Sequence, residues 1–60
     1  MLAKGKIVVL GAGESGVGAA MLAQKQGFEV FVSDFGAIPG QYKSQLEALN
    51  IPFEEQQHTS

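Results

Sequence analysis

The sequence predicts an α/β fold, the βαβαβ half of a doubly wound parallel sheet, in three layers. Three observations predict it. Residues 6–10, Lys-Ile-Val-Val-Leu, form an unbroken aliphatic run closed by Gly11, and a run without polar alternation suits a strand buried on both faces. Two helix-compatible stretches alternate with two further β-rich runs. The segments between the runs are long enough for right-handed crossovers between parallel strands.

Each element has its own grounds. The first strand, 6–10, leads through a glycine-rich turn into a helix over 15–26, with Ser15 as its N-cap and Gly27 as a left-handed stop. Polar side chains enter that helix only at Gln24, Lys25 and Gln26, so its first two turns are expected to be covered almost all round. A second strand, 28–33, runs to Asp34. Turn residues follow at Gly36 and Pro39-Gly40. Tyr42, Leu46 and Leu49 then recur at helical spacing, opposite Lys43, Ser44 and Glu47, and Asn50 ends that helix. A weaker third strand covers 51–54, with Pro52 at its start or on an unpaired side, because proline has no N–H to donate.

Composition removes several function classes. The chain has 60 residues, no cysteine and a formal net charge of −2, so it carries one small core without disulfide or thiolate–zinc staples. Four lysines and no arginine leave no basic stripe for nucleic acid. The longest run free of polar side chains, 16–23, is far short of the ~20 residues of a membrane span. The lysines near the start resemble a signal peptide's charged opening, but glycines and Glu14 break the apolar stretch behind them. A soluble, cytoplasmic protein is expected. Nothing in the chain pairs a nucleophile with a base, and no G-x-x-x-x-G-K-[ST] loop is present. The segment is expected to bind without catalysing.

Binding centres on the glycines. Four of the eight lie between Gly11 and Gly18. Gly11-Ala12-Gly13-Glu14-Ser15-Gly16 fits G-x-G-x-x-G, follows a strand, opens a helix and precedes the acidic Asp34 at the end of the next strand. That context makes it a Rossmann-like nucleotide-binding fingerprint. Gly11 permits the turn, Gly13 the approach of a phosphate, and Gly16 the packing of helix on sheet, with Gly18 and Ala19 extending that packed surface. Amides at the helix start and the positive end of its dipole then hold the anion. Ser15 is either a cap, worth about 1 kcal/mol against alanine, or a hydroxyl donor to the same phosphate. The Glu14 side chain is expected in solvent, with its backbone N–H near the ligand. Asp34 reads as an acceptor for ribose or base, or else as the first residue of a turn. Phe35 lies beside the base or packs, Tyr42 belongs to the core, and His58 has no partner at metal-ligand spacing.

The run from Lys6 to Ala20, with 26–34, 51–55 and His58, resembles the N-terminus of the MurD family of ligases. The resemblance covers essentially the whole chain, which then reads as the N-terminal part, 1–60, of a uridine-nucleotide-binding domain truncated halfway through its sheet. It implies a site for the UDP part of UDP-N-acetylmuramoyl-L-alanine, in an enzyme that uses ATP and Mg²⁺ in a middle domain and D-glutamate in a last one. The alanyl carboxylate there becomes an acyl phosphate that the glutamate amine attacks, in peptidoglycan precursor synthesis. By position, Gly13, Glu14 (through its backbone) and Ser15 correspond to the loop facing diphosphate and uridine, and Asp34 and Phe35 to the uracil side; Gly11 and Gly16 are counted with them as uridine-nucleotide-binding residues. Phe35 departs from the hydroxyl residue expected there. ATP and Mg²⁺ have no predicted ligands in this segment. Two other readings are an NAD or FAD half-site of an oxidoreductase and a stand-alone module that self-associates through an unpaired sheet edge.

Overall fold

A computed structural model describes residues 4–55; His58 lies outside them. The order is β1 (Lys6–Leu10), α1 (Glu14–Lys25), β2 (Glu29–Asp34), α2 (Gly40–Ala48) and β3 (Phe53–Glu55). The three strands form one parallel sheet in the order β1-β2-β3. The predicted βαβαβ unit is therefore present, with element ends moved by one or two residues. β3 starts after Pro52, whose carbonyl accepts the Val32 N–H at 3.0 Å.

Both helices end in the same way. Gly27 at φ 97° and Asn50 at φ 58° take the left-handed conformation one residue beyond the helix caps. Phe28 N–H then reaches back to Ala23 O and Gly27 N–H to Gln24 O; Ile51 N–H reaches Leu46 O and Asn50 N–H reaches Glu47 O. These are paired Schellman bonds, and they satisfy carbonyls that the last turn leaves without helical partners. Ile51 and Leu46 are both buried, so the second motif is also closed by an apolar contact at the helix end.

Register decides which side chains form the core. Ile7 pairs with Val30, Val9 with Val32, and Val32 with Phe53, and this face meets Val17 and Ala20 of α1 and Leu46 of α2. Ala12, Ile38 and Ile51 complete the buried set. The opposite face carries Val8 opposite Phe31 and Leu10 opposite Ser33. There Val8 is 56% and Leu10 73% exposed.

Three expectations are corrected here. β1 is covered on one face only, because α1 and α2 touch each other and pack on the same side of the sheet. The described residues accordingly form two layers, sheet and helices; a third layer would need elements on the Val8–Leu10 face. α1 is not covered all round either, since Glu14, Ser15, Gly18, Ala19, Met21 and Leu22 are exposed and only Val17 and Ala20 are buried. Gly18 packs against nothing: a β-carbon there would meet open space.

Candidate functional site at the carboxyl ends of the strands

Parallel pairing brings the ends of β1, β2 and β3 to one edge, where ligands bind in open α/β sheets. The first loop there is built from the glycines. Gly11 turns at φ +95° and donates its N–H to Ser33 O at 2.7 Å. A side chain at Gly16 would collide with the Gly11 carbonyl, so the start of α1 lies directly on the turn it leaves. Gly13 has neither the positive φ of Gly11 nor the close neighbour of Gly16. A β-carbon there would meet nothing within 4 Å, which leaves its outer side open to a ligand.

The cap is Gly13, not Ser15. α1 begins at Glu14, and no side chain caps it. Ser15 is the second helical residue, exposed like Glu14. A glycine in extended conformation at the cap leaves the first-turn amides without a side-chain acceptor. Such amides, at the positive end of a twelve-residue helix, favour an anion.

Asp34 ties this loop to the end of β2. Its Oδ2 accepts the Ala12 N–H at 2.7 Å and its Oδ1 accepts the Gly36 N–H at 2.9 Å. The Ala12 bond, then the Gly36 bond, hold the carboxyl below its ordinary value because both stabilise the charged form. The turn reading of Asp34 is therefore what the geometry displays. Each oxygen keeps a second lone pair, so the carboxylate retains acceptor capacity toward a ligand. Phe35 follows at 79% exposure. It does not pack into the core, contrary to one of its two expected roles; Ile38 does so instead.

Two carboxylates at this edge were missed from the sequence, Glu55 and Glu54. Glu55, at the end of β3, accepts the Ile38 N–H at 2.8 Å and pairs with Lys43 of α2 at 2.6 Å. On the open face, Ser33 Oγ donates to Glu54 Oε2 at 2.9 Å. The charged end of β3 was the available signal, but its use depends on pairing register.

An open groove lies elsewhere. It measures about 310 Å³ and lies on the open face toward the amino ends of the strands, lined by Lys6, Val8, Glu29, Val30, Phe31 and Pro52. Its mostly apolar lining offers no cluster of convergent polar groups. Among the described residues no group of three or more His, Cys, Asp or Glu side chains is placed to hold a metal ion. None of their helices is long and apolar enough to cross a membrane.

The MurD N-terminal domain family matches residues 6–60. A UDP-N-acetylmuramoylalanine–D-glutamate ligase of Porphyromonas gingivalis is 64% identical over 53 residues, 88% of this chain and 12% of that protein. Its counterpart in Bacteroides thetaiotaomicron is 57% identical over 54 residues, 90% of this chain. Another in Chlorobaculum tepidum is 46% identical over 57 residues, 93% of this chain. The chain spans about 12% of the length of these curated relatives. No solved structure gives a significant match. Family match and relatives agree along nearly the whole sequence, and the chain belongs to the MurD N-terminal domain family.

Proposed function

We propose that this chain supplies part of the uridine-nucleotide grip of a ligase that adds D-glutamate to UDP-N-acetylmuramoyl-L-alanine in peptidoglycan precursor synthesis. One observation carries the reading: an uncapped helix start follows a glycine loop whose outer side is open at Gly13. The relatives' shared name supports a UDP-linked ligand.

In this proposal the diphosphate lies over the amides of Gly13, Glu14, Ser15 and Gly16, where helix dipole and N–H donors converge. Gly11 and Gly16 shape the turn. Asp34 accepts from the uracil side with a lone pair not used by Ala12 or Gly36, and Phe35 offers a ring face beside the base. Glu14 contributes through its backbone, its carboxylate remaining in solvent. ATP and Mg²⁺, and the D-glutamate that attacks an acyl phosphate, belong to parts of the relatives that this chain does not span. Its own residues bind and orient, and catalysis in a cytoplasmic whole enzyme falls to those other parts.

Titration with UDP, UMP and NAD, followed by amide chemical shifts, tests the proposal. Shifts at Gly13–Gly16 and Asp34 are expected to saturate with UDP or UMP well before NAD. Preferential saturation by NAD supports a redox half-site instead; no response to any nucleotide, with a stable dimer, supports the assembly module. Gly13→Val is the sharpest variant, because its β-carbon meets open space in the free protein. It should keep the amide spectrum of the fold and lose UDP binding. Unchanged UDP affinity in that variant would remove the loop from the site.

A further inference from the structure

The segment joining β2 to α2 is held at two points by strand-end carboxylates. Asp34 Oδ1 takes the Gly36 N–H at 2.9 Å, and Glu55 Oε2 takes the Ile38 N–H at 2.8 Å. Ile38 is itself buried, so its side chain and its amide both anchor that end. Between Asp34 and Ile38, Phe35, Gly36 and Ala37 are exposed. Lys43 Nζ pairs with the other Glu55 oxygen at 2.6 Å.

We propose that Glu55 is a positioning residue for the nucleoside end of the crevice, acting through the Ile38 amide on the segment that carries Phe35. The inference rests on the nucleotide reading above. Glu55 reaches a different loop from the one proposed to hold phosphate: its Oε2 meets Ile38 in the β2–α2 segment and its Oε1 meets Lys43 of α2. Its removal therefore loosens the base side and leaves the glycine loop intact. Charge and reach separate in two conservative variants. Glu55→Gln keeps an acceptor at the same distance from Ile38, whereas Glu55→Asp keeps the charge but shortens the side chain by one methylene.

The test compares Kd for UDP with Kd for inorganic pyrophosphate in the chain and in E55D and E55Q, together with hydrogen exchange at the Ile38 amide. E55D is expected to speed exchange at Ile38 and to weaken UDP about ten-fold, the size of a lost charge-assisted hydrogen bond. Pyrophosphate affinity should stay the same. E55Q should retain most of the UDP affinity. Phe35→Ala should weaken UDP as well, and adding E55D to it should cost little more.

Equal weakening of UDP and pyrophosphate in E55D overturns the inference, because the effect is then general. Loss in E55Q with retention in E55D overturns it too, by assigning the effect to the ion pair. UDP affinity unchanged in E55D overturns the inference alone. A wild-type chain that takes up no UDP overturns the nucleotide reading and the inference together.

Discussion

Asp34 shows how much one side chain at the sheet edge controls. Two backbone N–H donors stabilise its charged form, so its folded-state carboxyl titrates below the ordinary 3.8. The sign follows from that depression. What Asp34 contributes to folding is present above the unfolded value and is lost as pH falls through the lower folded one. Below about pH 4 the Ala12 and Gly36 amides are therefore expected to titrate together, with a common midpoint under 3.8. An NMR pH series reads this directly, and Asp34→Asn should abolish the shared transition; a midpoint at or above 3.8 counts against the bonds. Gly11 and Gly16 were legible because their roles, the turn and the packing of helix on sheet, are backbone roles set by local sequence. Ser15 and Gly18 were not. Where a helix starts within a glycine-rich run depends on which residue leaves extended geometry, and neither position advertises whether anything packs over it.

At the scale of elements, the helix ends were the most legible feature and the strand faces the least. A glycine after Gln26 and an asparagine after Leu49 are stop signals written in single residues. Asn50 at φ 58° should accept glycine with nearly unchanged stability. Valine there is expected to cost about 1–2 kcal/mol, because its β-carbon crowds the carbonyl in the left-handed region. Urea unfolding of Asn50→Gly and Asn50→Val checks the pair; equal midpoints would mean that the α2 terminus is not held by its Schellman bonds. β1 misled for a different reason. Its unbroken aliphatic composition suits a strand buried on two faces, yet α1 and α2 cover only the Ile7–Val9 side. Which face a crossover helix covers is a property of topology, not of the strand's own residues.

For the molecule as a whole, a one-sided sheet makes the two faces of the same strand energetically unlike. A 60-residue domain has roughly 3–9 kcal/mol of stability at ordinary values per residue. Leu46 is fully buried, and Leu46→Ala should remove about 2–5 kcal/mol, enough to populate the unfolded chain measurably. Leu10 on the open face should tolerate lysine within about 0.5 kcal/mol. Thermal or urea unfolding of the two variants checks the contrast, and a large loss in Leu10→Lys would show that its face is covered in solution. Parallel register has a last consequence, which concerns where the molecule can be handled. All three strands point their carboxyl ends at the glycine loop, so the opposite edge, with Lys4, Gln26 and Phe28, lies the full length of β1 away. Exposed Gln26, just beyond the last turn of α1, is thus a natural point for a dye or a surface tether, one that reports on the chain while leaving its working edge free.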